Sequence, residues 1–99
     1  MALSEYRLSE EADKDIENIF DYTLETFGID QAVKYLTDLE SILSGLPLNP
    51  EMGKARNEIK IGLRSFPFVS HVVFYRILPD HIRIVRVLHA SRDIPKFFD

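Results

Sequence analysis

His71-Val72-Val73-Phe74-Tyr75-Arg76-Ile77-Leu78-Pro79-Asp80-His81-Ile82-Arg83-Ile84-Val85-Arg86-Val87-Leu88-His89-Ala90 is the stretch on which the fold turns. Both halves are rich in β-branched and aromatic residues, which suit a pleated, half-buried surface. Pro79-Asp80 between them has turn chemistry, so the halves predict two strands, His71 to Leu78 and His81 to Ala90, joined as a hairpin. If the turn pairs Leu78 with His81, the register follows. Val72, Phe74, Val85 and Val87 then share one face, with Arg76 and Arg83 near its turn end. Val73, Tyr75, Ile77, Ile82, Ile84, Arg86 and Leu88 share the other. Neither face is polar. A two-helix hairpin covers one, and the face carrying Tyr75 and Arg86 is expected to stay partly open as a partner surface.

Working outward, Leu63 to Phe68 is a shorter strand whose Pro67 points to an edge or a strand end. Pro47 to Asn57, with two prolines, two asparagines and Gly53, reads as a loop. Before it, Val33, Leu36, Leu39, Ile42, Leu43 and Leu46 follow the helical period, with Asp30 as the expected N-cap and Pro47 as the stop. An earlier helix runs from about Glu10 to Phe27, with Ser9 as N-cap and Glu10, Glu11 and Asp13 in its first turn. Its apolar stripe is Ala12, Ile16, Ile19, Phe20, Thr23 and Phe27, and Gly28 follows in the position that favours a left-handed residue. So short a break forces the helices into an antiparallel hairpin. Tyr22, Leu24 and Tyr35 fall off or at the edge of these stripes. Ala2 to Leu8 alternates as a first strand. The order β-α-α-β-β-β predicts one α+β domain over residues 1–99, a helical hairpin on a mostly antiparallel sheet.

The chain has no Cys and no Trp, which removes disulfides, thiol nucleophiles and Cys-ligated zinc. The start of the chain does not read as a secretory signal, no run approaches the roughly 20 apolar residues of a membrane span, and a cytoplasmic, membrane-free protein is expected. The net charge of −4 is unevenly spread. Residues 1–51 carry twelve acidic and three basic side chains, residues 52–99 four acidic and nine basic. Either the second half meets an acidic partner or nucleic acid, or acidic groups solvate helices while arginines decorate a sheet.

The order and spacing of several short motifs resemble the ParE branch of the RelE/ParE toxins. They are Tyr6-Arg7-Leu8-Ser9 leading into Ala12, Asp15 and Ile19; Tyr22; Phe27-Gly28; Gln31-Ala32; Tyr35; Leu39; and Asn49-Pro50 with Gly53. Gly62-Leu63-Arg64-Ser65-Phe66-Pro67, His71 to Arg76 and Ile84 to His89 continue the likeness over nearly the whole chain. The resemblance implies a RelE/ParE-like fold, a ParD-like antitoxin whose C-terminal segment wraps the toxin, and DNA gyrase as the target. After His89, Ala90-Ser91-Arg92-Asp93 stands where many relatives carry a residue pair followed by Met-Asp.

The expected target-binding surface is Arg64, Arg86, His89, Arg92 and Lys96, with Phe97 and Phe98 as apolar anchors or, alternatively, as closure of the core edge. Leu63, Phe66, Phe68, Tyr22 and Tyr35, with the exposed side of the helical hairpin, are the expected antitoxin contacts, and the basic half predicts acidic residues in the antitoxin tail. The rival reading is a RelE-like, ribosome-dependent mRNA endonuclease, with Arg64, Arg76, Arg86, His89 and Arg92 as candidate groups and Tyr75 nearby. The bland alternative is that Arg76 and Arg83 are there to pair with carboxylates and His89 to satisfy a backbone group at a strand end. The net charge of −4 and the lack of a lysine-rich cluster after the second helix, where only Lys54, Arg56 and Lys60 lie, also weigh against a nuclease. An inactive interaction module is the third reading. His71 and His89 alone make a poor zinc site, and no cofactor is expected.

Overall fold

A computed structural model describes residues 5–98. Strand β1 (Tyr6–Leu8) leads into helices α1 (Glu10–Phe27) and α2 (Ile29–Gly45); β2 (Lys54–Ala55), β3 (Arg64–Phe68), β4 (His71–Ile77) and β5 (Ile82–His89) follow. Single 3-10 turns lie at Pro50–Met52 and Ile94–Phe98. The sheet order is β1-β5-β4-β3-β2, antiparallel except for the parallel β1–β5 pair. The α+β architecture and the order of the main elements are those expected. Lys54–Ala55 adds a two-residue strand within the stretch read as loop, and the Ala2 to Ser4 part of the expected first strand lies outside the described residues.

Ser9 caps α1 as its position implies: its hydroxyl oxygen accepts from the Ala12 N–H at 3.0 Å. The same hydroxyl donates to the Val85 carbonyl at 2.8 Å, and the Ser9 N–H donates to the Ile84 carbonyl at 2.9 Å. Gly28, at φ 91°, closes α1 through its N–H to Leu24 and opens α2, whose Ala32 N–H donates to the Gly28 carbonyl. Only a residue without a Cβ tolerates that φ at little cost. Asp30 is therefore not the cap; it sits in the first turn of α2, where its charge still meets the helix dipole.

The phase of α2 also differs from expectation. Ala32, Leu39, Leu43 and Leu46 are buried, while Val33 and Leu36 are 50% and 36% exposed. A helix with apolar residues at nearly every third and fourth position offers two overlapping stripes, and the backbone of α2 lies closest to α1.

The β4–β5 hairpin starts in the expected register, with Ile77 opposite Ile82 and Tyr75 opposite Ile84. A bulge then shifts it by one, so that Phe74 faces Arg86 and Val73 faces Val87. Beyond the bulge the faces of β5 exchange. Val87 joins Val73, Tyr75, Ile82 and Ile84 against Leu39, Leu43 and Ala12, the helix-covered core. Leu88 joins Phe74 on the opposite side. The helices thus cover the Tyr75 face, the reverse of the expected open side. Tyr75 is fully buried; its hydroxyl accepts from the Gly53 N–H at 2.8 Å and donates to the Pro50 carbonyl at 2.7 Å. The opposite face is not open at this end. Leu63, Ile59, Ile94, Phe97 and Phe98 pack on Phe74, Val72, Val85 and Leu88 as a second small core. Pro67 falls where β2 no longer pairs with β3, so its missing N–H breaks no ladder.

β1 is too short to pair with more of β5 than Ile82 to Ile84. Past that point Asp15 of α1 takes over. Its carboxylate accepts from the Val87 N–H at 2.9 Å and from Nε and an Nη of Arg86, both at 2.8 Å. The two side chains are only 20% and 12% exposed, Arg86 and Asp15 respectively. Removing one partner of such a pair strands the other charge away from water. Asp15→Ala is expected to cost about 3 kcal/mol, a fall in Tm on the order of 12 °C. Thermal unfolding followed by circular dichroism checks this; a variant melting with the parent would show that the carboxylate does not hold the edge.

Candidate partner and target surfaces

Beyond Asp15, α1 and the ends of β4 and β5 enclose a cleft of two adjoining parts, about 310 and 580 Å³, which share Tyr22, His71 and His89. His71 and His89 face each other in register, ring centroids 5.3 Å apart. Tyr35 reaches from α2 to place its hydroxyl 2.6 Å from His71 Nδ1 and packs edge-on to Phe68 at 4.9 Å. The Ser91 N–H donates to His89 Nδ1 at 3.1 Å, so a neutral His89 carries its proton on Nε2. Burial is the main reason that His71 titrates below its ordinary value of 6.5; the charge of His89 adds to this and Asp15 opposes it. Burial likewise raises Tyr35, which keeps its phenolic proton as a donor. At the mouth, Arg86 and Arg92 stack on the Phe97 ring at 5.0 and 5.6 Å. Val69 on the rim holds a left-handed backbone (φ 52°) and is 77% exposed, a costly conformation for a β-branched residue.

The expected target-binding residues do not form one patch. Arg86, His89, Arg92 and Phe97 come together at the cleft mouth. Lys96 is exposed nearby in sequence, loosely paired with Asp93 at 3.5 Å. Phe98 is 9% exposed and packs on Phe74 at 5.0 Å, so it closes the second core and is no surface anchor. Arg64 is remote: its guanidinium is spent on the Gly53 and Glu51 carbonyls. It sits beside Tyr75 and thus level with Ile84, five residues of strand from His89, roughly 16 Å.

Among the expected antitoxin contacts, Tyr22 is 65% exposed and lines the cleft with Tyr35. Phe66 is half-buried against the helix-covered core, and Phe68 is 7% exposed within it. Leu63, 1% exposed, lies in the second core on the far side of the sheet. Neither Leu63 nor Phe68 has a solvent-facing side to offer, because each is enclosed in one of the two cores. The exposed side of the helical hairpin, the other expected contact, does carry an apolar strip, whose residues were not named individually from the sequence. Leu24 and Phe27 on α1, and Ile29, Val33 and Leu36 on α2, are 36% to 65% exposed at helical spacing on either side of Gly28. Ten acidic and two basic side chains lie between Glu10 and Gly45 around them. The signal was present as an apolar stripe wider than the two cores need.

Among the described residues, no three His, Cys, Asp or Glu side chains are grouped to hold a metal ion, and no helix is long and apolar enough to cross a membrane.

A hairpin of helices on a five-stranded sheet, with an unpartnered helical surface and a basic, aromatic cleft mouth, defines a toxin of the type II toxin–antitoxin class once it is set beside known proteins. The family described as "ParE toxin of type II toxin-antitoxin system, parDE" matches residues 6–94. Toxin ParE1 of Mycobacterium tuberculosis is 38% identical over 94 residues, covering 94% of this chain and 96% of that one. Toxin ParE1 of Caulobacter vibrioides is 36% identical, covering 87% and 88%. The chromosomal ParDE toxin–antitoxin system of P. aeruginosa shares the fold at a TM-score of 0.79 and 18% identity, covering 92% of this chain and all of that one. The chain belongs to the ParE toxin family.

The His71 shift sets a pH dependence. Its folded value lies below its unfolded value, so the unfolded chain binds the extra proton first. Its contribution to stability is complete above about 6.5 and is lost as the pH falls towards the folded value. Between about pH 7.5 and about pH 5.5, the fall in Tm should be smaller in His71→Gln than in the parent. Equal falls in the two proteins would remove His71 as the cause.

Proposed function

We propose that the chain arrests growth by binding DNA gyrase and holding it in its DNA-cleaved state, without bond-making chemistry of its own. Gyrase forms its own covalent intermediate with DNA, so a protein with higher affinity for that state turns it into a source of breaks. The observation that carries the reading is the separation of the groups a nuclease would need to converge. Arg64 and Arg76 lie towards the β4–β5 turn, His89 and Arg92 at the opposite end, and Arg86 is bound to Asp15. General acid–base catalysis needs such groups within hydrogen-bond reach of one substrate. Tyr75, the other candidate, is buried with its hydroxyl occupied. What remains at the cleft mouth is a binding surface: His89, Arg92 and Phe97, with Lys96 beside them.

A ParD-like antitoxin is the neutralising partner in this reading. Its tail lays apolar side chains over Leu24, Phe27, Ile29 and Val33, where the acidic surroundings call for basic neighbours. Acidic residues in the same tail suit Arg92 and His89. Coupled folding of a disordered tail supplies such a two-part contact.

A supercoiling reaction with gyrase and the purified chain tests the target. Lost supercoiling with linear DNA after detergent and protease is expected, and Arg92→Ala combined with Lys96→Ala should abolish both. Unaltered gyrase with continued growth arrest and cut mRNA would replace this reading with the nuclease. For the antitoxin, Val33→Asp should weaken binding about thirtyfold or more while leaving Tm unchanged, because that side chain is half exposed. Unchanged affinity in a titration would move the antitoxin off the hairpin.

A further inference from the structure

Three arginines stand in a row across the sheet, on the face turned away from the helices. Arg7 of β1 is the register partner of Arg83 of β5, and Arg83 is the register partner of Arg76 of β4. On β4, Arg76 shares the side of Phe74, two residues earlier; on β5, Arg83 alternates with Ile82 and Ile84, which face the helices. A guanidinium nitrogen of Arg76 rests beside Gly62, where a Cβ would approach it to 3.1 Å. Neighbouring strands are about 4.8 Å apart, so three cations span on the order of 10 Å.

Like charges directly opposite one another destabilise a sheet. Here there is little to offset them. Among the described residues, neither Arg76 nor Arg83 has an ion pair or a side-chain hydrogen bond, contrary to the expectation that carboxylates neutralise them. Arg7 holds Glu5 at 2.9 Å, but both side chains are about half exposed, a tie worth little in water. The nearby Asp80 is bound to His81 at 2.7 Å.

We propose that the Arg7–Arg83–Arg76 row binds the phosphate backbone of double-stranded DNA. Three features favour this occupant. All three cations are arginines, whose planar fork matches a phosphate's oxygens. The exposed aromatic rings, Tyr22 and Phe27, lie on the helix side of the molecule, so the row has no platform on which an unpaired base could stack. An acidic protein surface would want an apolar centre, and the adjoining loop supplies a single exposed isoleucine, Ile61. The acidic hairpin does not forbid the contact: it lies a layer away across the sheet, on the order of 10 Å, beyond a Debye length of about 8 Å at physiological salt. With no base-reading groups, the contact is independent of sequence and governed by salt.

The test is fluorescence anisotropy of a labelled duplex of about 20 base pairs titrated with the purified chain over a range of salt concentrations. Three phosphate contacts predict that log affinity falls with log salt at a slope of roughly −2.7, reduced by about 1 in Arg83→Ala and abolished in the triple Arg7→Ala, Arg76→Ala, Arg83→Ala variant. Lys34→Ala, on the hairpin, should leave the slope unchanged. Tm of the arginine variants should hold or rise, because removing like charges relieves the sheet; this excludes misfolding as the cause of lost binding. No binding at low salt, equal slopes in parent and variants, or binding to a polyglutamate peptide in place of DNA would overturn the proposal. The measurement contains no gyrase, so its outcome is separate from that of the supercoiling reaction.

Discussion

The carboxylate of Asp15 does the work of a missing strand. β5 has eight residues, and β1 pairs with only the first three. The remainder would be a bare edge of N–H and carbonyl groups, the kind of edge that recruits other chains. Ser9 takes the carbonyls of Ile84 and Val85, and Asp15 takes the Val87 N–H together with the Arg86 guanidinium. The first turns of α1 are thereby stitched along β5. One turn further on the stitching stops, helix and strand part, and the cleft lined by Asn18, Tyr22, His71 and His89 begins. The interaction that seals the edge also decides where the opening lies.

The bulge in β5 has a comparable reach. Shifting the register by one residue sends Val87 to the helix-covered core and Leu88 to the other side. That exchange creates the second core, because Leu88 and Phe74 now share a side that Ile94, Phe97 and Phe98 can close. Closing it fixes the Phe97 ring, and Arg86 and Arg92 stack on that ring. The cationic mouth of the cleft is thus a consequence of one extra residue in a strand. Its guanidinium groups are held by a packed ring and a buried carboxylate, so they lose little side-chain entropy on meeting a partner.

Most of the architecture was legible because its signals are local. Ser9 and Gly28 bound α1 through side-chain and backbone chemistry that any reading of caps detects, and the β-branched runs around Pro79-Asp80 declare a hairpin. The bulge left no such mark: Val85-Arg86-Val87 fits a regular register as well as a shifted one, since both sheet faces are apolar. The phase of α2 was ambiguous for the same reason, with Val33 and Leu36 as apolar as the residues that are buried. Parallel pairing of β1 with β5 joins residues more than seventy apart, and nothing local announces it. The candidate surfaces fared accordingly. Arg86, His89, Arg92 and Phe97 come together because they are close in sequence, whereas Leu63, Phe68 and Phe98 went to the core because burial depends on which layer the rest of the chain supplies.

Charge is sorted by layer, and that sorting decides what each surface can meet. The hairpin concentrates acidic groups around an apolar strip, so contact there rewards an apolar partner with basic flanks and repels nucleic acid. On the other side of the sheet Arg76 and Arg83 stand without an ion pair among the described residues, and Arg7 has only the exposed Glu5. A net charge of −4 therefore describes neither face, and an argument from net charge alone would misjudge both. The cleft mouth lies between, its cations partly committed to Asp15 and Phe97. Because the surfaces are separate, a partner on the hairpin leaves the Arg7–Arg83–Arg76 row free.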